Sequence, residues 1–456
     1  MKDDINRAKN VHFIGIGGCS MSGLAEILYN RGCIVTGSDS SVSPFTEKLV
    51  DEGISVKIGQ SANNIPENCE LIVYSAAISE DNPERVEARR RNIEEIERCD
   101  ALGGITAGYK NVVGISGCHG KTTITSMLAL IAEYGGFDAT VHIGGFVERL
   151  KGGVRLGSHD LFITEACEYV ESFLSLNPTV VLINNIDDDH LNYYKNINNI
   201  VAAFKKFVSL LPRDGILIAC TDDFRVKKIY REFRGKKFSY GLRDAEIIPC
   251  SVMYDENGYP SFDLCKDGDV LGRISLNVIG EFNMLNAVAA AAVAITLGAD
   301  IKTIARALYD FQSTRRRFEY YGERNGVKVF HDYAHHPGEI RAVLRGAMRY
   351  PHKRLFVVFQ CNSYSRAKTL FINKVDCFSD ADIVLVPDIY PGREAFDSTV
   401  HARDMVQAIA ESGVKAEYLE TFEKINEYLL KNTSPGDIVV TLGSGDVYKQ
   451  SRIFTK

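Results

Sequence analysis

The chain predicts an α/β fold in three units, from three observations. Short apolar runs alternate with helical stretches from end to end, two of those runs lead directly into glycine-rich turns, and 456 residues exceed what one compact core holds. At roughly 150 residues per domain the length calls for about three.

Composition narrows the class. Apolar residues at 45% and charged residues at 25% describe a folded chain with sizeable cores. A formal charge of -6 argues against duplex nucleic acid as a partner, whereas a small phosphorylated ligand needs only a local positive pocket. The first residues, Met1 to Arg7, contain neither a long apolar stretch nor a small-residue cleavage site, which predicts no secretory signal. The alanine-rich run 287–295 is far shorter than a bilayer span and predicts a buried helix, so no membrane anchor is expected. Eleven cysteines without Cys-x-x-Cys spacing predict packed, reduced thiols in a cytoplasmic protein rather than disulfides or a zinc site.

The first unit opens with the apolar run 11–14, the turn Gly15-Ile16-Gly17-Gly18-Cys19-Ser20-Met21-Ser22-Gly23, and a helical pattern through Leu24, Ile27 and Leu28. A second strand over 33–36 ends near Asp39, so the segment reads as a βαβ opening. Its glycines let backbone N–H groups approach an anion, and Asp39 lies near a plausible ribose position. On this signal alone, nucleotide binding and a plain structural turn both stay open. Apolar runs at 71–74 and around Ile105 put the end of the unit near residue 106.

The second unit begins with a strand over 112–115 and the loop Gly117-Cys118-His119-Gly120-Lys121-Thr122-Thr123. Helical spacing of Met127, Leu128 and Ile131 follows. A strand delivering a glycine loop to a helix N-terminus brings backbone N–H groups, a lysine and a hydroxyl onto phosphates and Mg²⁺. Lys121 is the expected phosphate contact and Thr122 the expected metal ligand. The stricter form of this loop carries glycine five positions before Gly120, where Ile115 stands, so the motif is the shorter Gly-x-x-Gly-Lys-Thr-Thr. Further strands are predicted over 161–164, 180–184 and 215–220. The region 245–279, broken at Asn257-Gly258 and Asp267-Gly268, predicts an antiparallel insertion or edge. The third unit follows residues 314–318, with a hairpin at Asn325-Gly326 and strands over 327–330, 355–359, 383–386, 416–419 and 438–442.

Several residues fall where open α/β sheets place ligands. Glu165 and Glu168 follow one predicted strand, and Asp187, Asp188, Asp189 and His190 follow another; these groups suit a hard cation, and equally a solvated acidic loop. Asn283 and Asn286 open a predicted helix, with N-capping and ligand contact both open for Asn283. The cluster Arg315, Arg316 and Arg317 suits a triphosphate clamp or a solvated junction. Asp332, His335 and His336 precede Pro337, a predicted helix start. Cys118 and Cys167 have no paired base and read as incidental thiols.

Taken in order, these motifs resemble the Mur ligases of bacterial peptidoglycan synthesis. The turn 15–23, the loop 117–123, Glu165-Ala166-Cys167-Glu168-Tyr169, Asn185-Ile186-Asp187-Asp188-Asp189-His190, Gly280-Glu281-Phe282-Asn283-Met284-Leu285-Asn286, Arg316-Arg317-Phe318 and Asp332-Tyr333-Ala334-His335-His336-Pro337 follow in family order over almost the whole chain. The resemblance implies an N-terminal Rossmann-like domain over 1–106 for the UDP-sugar, a central P-loop ATPase-like domain over 107–318, and a C-terminal Rossmann-like domain over 319–456. It implies ATP and Mg²⁺ as cofactors and, by similarity to the alanine-adding branch, UDP-N-acetylmuramate and L-alanine as substrates; a monomer and a weak homo-oligomer both stay open. Lys121, Glu165 and His190 are the implied catalytic residues, with Thr122, Glu165 and His190 at the metal. Gly117, Cys118, His119, Gly120, Lys121, Thr122, Thr123, Asn283, Asn286, Arg317 and Asp332 are implied at the nucleotide. Gly15, Gly17, Gly18, Ser20, Met21, Ser22, Asp39 and His335 are implied on the substrate side.

The chain departs from the family at Cys118 for threonine, at Cys167 for aspartate, at His331 for an acidic residue, and in Gln360-Cys361-Asn362, where relatives usually read Gln-Pro-His. Lys205 holds the offset of a lysine that related ligases carbamylate; the alanine-adding branch generally does without it, so a helix-surface lysine is expected. Met21-Ser22-Gly23 favours the alanine-adding branch over the peptide-recycling one. A NAD-dependent oxidoreductase, which the first glycine turn alone would suggest, explains neither the second phosphate loop nor Glu165. A noncatalytic nucleotide-responsive protein is disfavoured by the complete set Lys121, Thr122, Glu165 and His190.

Overall fold

The computed structural model describes residues 4–157, 160–312, 316–368, 375–392 and 394–456. Three sheets carry the chain. The first contains β1 (Asn10–Ile14), β2 (Ile34–Asp39), β3 (Ser55–Ile58), β4 (Leu71–Tyr74) and β5 (Glu94–Glu97), all parallel, in the order β3-β2-β1-β4-β5. The order reverses at β1, and the turn after β1 lies at that reversal, where an open parallel sheet leaves a crevice.

The second sheet contains β6 (Asn111–Ser116), β7 (Ala139–Val147), β8 (Gly152–Arg155), β9 (Leu161–Glu165), β10 (Val180–Ile183), β11 (Ile216–Cys220), β12 (Lys236–Tyr240), β13 (Ile247–Tyr254), β14 (Pro260–Lys266) and β15 (Asp269–Ser275). Its order, β15-β14-β13-β12-β11-β10-β6-β9-β7-β8, sets β6 between β10 and β9. Val112, Val113 and Ile115 are buried, so β6 reads as a continuous apolar run, as a parallel strand covered on both faces does. The predicted edge at 245–279 is present as β13 to β15, joined by turns with left-handed backbone at Gly258, Asp267 and Gly268. Strands β7 and β8 have no counterpart in the sequence reading. Gly144 and Gly145 interrupt β7 and its inner positions include Thr140 and His142, so it lacks the apolar run that marked its neighbours.

The third sheet contains β16 (Glu319–Arg324), β17 (Val327–Asp332), β18 (Leu355–Phe359), β19 (Ile383–Val386), β20 (Lys415–Tyr418) and β21 (Ile438–Leu442), in the order β16-β17-β21-β18-β19-β20. The hairpin predicted at Asn325-Gly326 is there, with both residues at positive φ (51° and 77°) as a two-residue hairpin turn requires. Along β18 the side chains alternate between two cores: Leu355, Val357 and Phe359 enter one, Phe356 and Val358 the other.

By its contacts the chain divides into two compact units. One comprises the residues up to Cys250 with Asp263–Gly272 and Asn286–Leu308; the other comprises Ser251–Phe262, Arg273–Leu285 and Tyr309–Lys456. The first sheet and strands β6 to β12 of the second share the first unit, and one apolar core runs through both. It contains Phe13, Leu24, Leu28 and Leu102 from the first sheet and its helices, and Phe162, Phe173, Phe204 and Phe207 from the second. Phe173 stacks on Phe207 with centroids 4.5 Å apart. Helix Arg98–Thr106 sits tightly on the 3-10 segment Tyr169–Ser175: Ser175 Oγ donates to Asp100 at 2.9 Å, and a Cβ on Gly103 would lie 2.2 Å from the Ser175 carbonyl oxygen. A second link is His142 on β7, whose buried ring lies between Ser20 and Thr164.

Two expectations follow. Gly103→Ala forces backbone apart at that contact and should destabilise the first unit by about 1–3 kcal/mol, read from the midpoint of chemical denaturation. Burial, aided by the nearby Arg98 charge, pushes the His142 pKa down to about 4 from 6.5. A base with a depressed folded-state pKa takes up protons preferentially when unfolded, so its neutral form costs nothing above about pH 6.5 and stability falls as pH drops towards 4. His142→Phe should flatten that part of the stability–pH curve.

Candidate functional site

The glycine loop is fastened from below. Gly117 and Gly120 both adopt positive φ (135° and 87°), conformations that disfavour any residue with a Cβ. A Cβ on Gly120 would also lie 2.6 Å from Asn184 Nδ2 and from Asn286 Oδ1. Asn184, just past β10, donates to the His119 carbonyl at 2.9 Å and accepts from the Tyr240 hydroxyl at 2.7 Å. Asn185 accepts from the His119 N–H at 2.8 Å, and its carbonyl accepts from Cys118 N–H at 3.1 Å. Cys118 is buried, its sulfur accepting from Asp187 N–H at 3.2 Å, and burial pushes its thiol pKa well up. The cysteine is therefore a packing element beneath the Asp187 turn, in keeping with its reading as an incidental thiol. Asn184 and Tyr240 were missed in the sequence; the signal was an asparagine ending the strand beside the loop.

Above the loop, helix Lys121–Tyr134 begins with Gly120 as N-cap and no capping side chain, so its first N–H groups present an anion-binding end. Thr122 Oγ1 donates to Glu165 Oε2 at 3.2 Å, and Glu165 Oε1 accepts from Gly144 N–H at 2.6 Å. Lys121 Nζ lies 2.8 and 3.1 Å from the two oxygens of Glu168 and 2.5 Å from the Gly117 carbonyl. Burial works against the ammonium, but the Glu168 carboxylate more than offsets it and holds the Lys121 pKa above the ordinary lysine value. His190 Nε2 stands 3.7 Å from Glu168 and 3.6 Å from Asp189, and its ring packs against Tyr169 at 4.7 Å. Thus Lys121, Thr122, Glu165, Glu168 and His190 gather at one end of β6, β9 and β10. Backbone strain collects there too: Val170, Glu171 and His190 all have φ near +50°, rare for a β-branched residue such as Val170. Lys205 is a surface lysine paired with Glu232 at 2.6 Å.

The first sheet's turn is closed by its own residues. Gly15 has φ of 82°, and the Gly17 N–H donates to Asp39 Oδ2 at 2.8 Å, so Asp39 fastens the turn. A Cβ on Gly17 would meet Thr46 at 2.7 Å. Gly18 is the N-cap of helix Cys19–Asn30. Met21 and Ser22 face inward, buried at 2% and 0% exposure, with Ser22 Oγ donating to the Cys19 carbonyl. Helix phase turns both side chains into the core, while Ser20 Oγ lies 3.1 Å from His142 Nε2. Thr123 is likewise buried.

In the second unit, Asn283 lies inside the first turn of helix Glu281–Thr296, and its Nδ2 donates to the Ile279 carbonyl at 2.8 Å, which removes the N-cap alternative. Asp332 is buried, its oxygens accepting from Phe318 N–H at 2.8 Å and Ala334 N–H at 2.7 Å. Burial raises its pKa to about 6, with Arg317 opposing. Asp332 thus clamps the segment entering the sheet. Arg315 lies outside the described residues. Arg316 is neither a phosphate clamp nor a solvated junction: it donates to the Gly443 and Gly445 carbonyls and to His331 Nε2, and its guanidinium lies 4.6 Å from the Tyr333 ring centre. Accepting that bond keeps His331 neutral, and burial beside Arg316 takes its pKa down to about 3. Arg317 lies 4.0 Å from Glu339, which also faces His335 Nδ1 at 3.4 Å. His336 caps helix Pro337–Ala347.

Comparison with known proteins assigns all three segments of the chain to one family. Residues 10–110 match the Mur ligase family catalytic domain, residues 115–294 the Mur ligase middle domain, and residues 316–445 the Mur ligase glutamate ligase domain. The chain is 44% identical over 455 residues to the UDP-N-acetylmuramate–L-alanine ligase of Clostridium tetani, covering 100% of this chain and 99% of that one. It is also 44% identical over 454 residues to the same-named ligase of Clostridium acetobutylicum, covering 100% and 98%. Among solved structures it is similar to the UDP-N-acetylmuramate-alanine ligase of Thermotoga maritima, with a TM-score of 0.81 and 25% identity over 98% of both chains. Identity over the full length, with the three domain matches in order, establishes that the chain belongs to the Mur ligase family.

Proposed function

We propose that this protein joins L-alanine to the carboxylate of UDP-N-acetylmuramate, converting ATP to ADP and phosphate, in peptidoglycan precursor synthesis. The observation that carries the reading is the meeting of Lys121, Thr122, Glu165, Glu168 and His190 around a glycine loop at a helix N-terminus. Full-length relatives named for that reaction support it. The division at 1–106, 107–318 and 319–456 belongs to the same proposal and is supported by domain matches at 10–110, 115–294 and 316–445. So does a cytoplasmic location, supported by eleven cysteines without paired spacing.

The residues fit the groups the reaction needs. The positive-φ glycines make a cradle that a Cβ would fill, and the first N–H groups of helix Lys121–Tyr134 suit a phosphate. The Thr122 hydroxyl and the Glu165 carboxylate, 3.2 Å apart, are the hard oxygen donors that Mg²⁺ takes. When bound, Mg²⁺ supplies positive charge against the phosphate oxygens. A carboxylate resists attack by an amine because oxide is a poor leaving group, and phosphorylation gives it phosphate instead. The chain's part is to hold and to neutralise: the loop N–H groups and Lys121 receive the triphosphate, Glu165 is oriented by Gly144, and Glu168 keeps Lys121 and His190 together before substrate arrives.

Incubation with ATP, Mg²⁺, UDP-N-acetylmuramate and L-alanine should yield ADP, phosphate and the alanyl adduct, resolved by mass spectrometry. Product with another amino acid or a peptide in place of alanine would instead assign the chain to a neighbouring muramyl ligase. Removing Lys121 leaves the buried Glu168 without its counter-charge, so Lys121→Met should cut turnover by about two orders of magnitude or more and lower stability. The double variant Lys121→Met/Glu168→Gln should regain the stability but not the turnover, which separates the catalytic role from the structural one.

A further inference from the structure

Strand β7 touches two loops at once. Gly144 N–H holds the Glu165 carboxylate at 2.6 Å, and two residues earlier, on the same face of the strand, His142 reaches the turn of the first sheet. The His142 ring is buried at 2% exposure, with Nε2 3.1 Å from Ser20 Oγ and Nδ1 3.1 Å from Thr164 Oγ1. The Ser20 carbonyl also lies 3.2 Å from Nε2, so the neutral ring keeps a bond at each end in either tautomer. With its proton on Nδ1 it accepts from the Ser20 hydroxyl and donates to Thr164; with its proton on Nε2 it donates to the Ser20 carbonyl and accepts from Thr164. Arg98 donates to Ser20 Oγ at 3.3 Å, and Thr164 Oγ1 lies 3.1 Å from the Glu165 carbonyl. With the proton on Nδ1 the Thr164 hydroxyl is free to donate to the Glu165 carbonyl, and the bonds connect Arg98, Ser20, His142, Thr164 and Glu165 in one line. The helix makes room for the ring at Gly23, where a Cβ would stand 3.0 Å from His142 Cδ2.

We propose that His142 is a positioning residue that ties the sugar-side turn at Ser20 to the strand end bearing Glu165, so that the nucleotide-sugar and the phosphate-side carboxylate are held at one spacing. It rests on the functional reading above in taking Ser20 as part of the substrate side. His142 touches no reacting atom; it acts through Ser20 and Thr164. Nothing in the glycine motifs signalled it, since it lies on a strand the sequence did not reveal.

The test uses the full chain. His142→Phe keeps a ring in the space but loses both nitrogens, and Thr164→Val removes the bond at the other end while leaving the helix side untouched. Each should raise KM for UDP-N-acetylmuramate about tenfold, as loss of a buried hydrogen-bonded link does, while KM for ATP moves less than about twofold. The double variant should be no worse than the worse single, because both cut one chain of bonds. Equal changes in both KM values, an additive double variant, or an unchanged KM for the nucleotide-sugar would overturn the proposal. Calorimetric titration with UDP-N-acetylmuramate alone reads the same effect without turnover. If the wild type binds that nucleotide yet makes no adduct, the functional reading fails while the binding comparison still decides the role of His142. Should His142→Phe not fold, Thr164→Val decides the role by itself.

Discussion

The site depends on one ion pair. Lys121 and Glu168 meet at 2.8 Å, the carboxylate at 2% side-chain exposure, and a charge so placed is tolerable only while its partner is present. Much of the surrounding detail serves that pairing. The left-handed residues Val170 and Glu171 turn the chain so that Glu168 looks back at the loop, and the Tyr194 hydroxyl donates to the Glu168 carbonyl. His190, also left-handed, comes within 3.7 Å of the same carboxylate. The ammonium is therefore held at the helix N-terminus by Glu168 and the Gly117 carbonyl rather than extended into solvent.

The parts of this arrangement that were readable in the sequence are those with strong local chemistry. A buried parallel strand needs a continuous apolar run, a phosphate loop needs glycine at fixed offsets, and a two-residue hairpin needs Asn-Gly; β6, the loop at 117–120 and the turn at 325–326 each announced themselves. β7 did not, because two glycines and a histidine occupy positions where β-branched residues would have marked it. The burial of Met21 and Ser22 was not legible for a related reason: a motif names residues without their helix phase, and the phase turns these two inward. Asp332 and Arg316 show the limit from another side. Arg316 stood open between a triphosphate clamp and a solvated junction and Asp332 was implied at the nucleotide; that both bond backbone groups of their own unit is a fact of tertiary structure with no local signature.

The departures from the family acquire physical content. Cys118 fills the position usually held by threonine and does so as a buried, weakly polar packing group that accepts one backbone N–H. His331, where an acidic residue is frequent, accepts from Arg316 as a neutral imidazole, so the arginine keeps a partner without a second buried charge. At Gln360-Cys361-Asn362 the cysteine is buried and Asn362 Nδ2 donates to Ser444 Oγ at 2.5 Å, which fastens the end of β18 to the loop after β21.

The core common to the first two sheets has a bearing on how such a chain is inherited and recombined. Leu24, Leu28 and Leu102 pack in the same cluster as Phe173 and Phe204, and Gly103 admits the Ser175 carbonyl with no room for a methyl group. A crossover near residue 106 between two relatives would bring together halves of a core that had drifted apart in shape, and one in front of Glu319 would part Phe282 and Phe318 from the core they pack against. Drift in the first sheet is thus tethered to drift in the second, which shares its core.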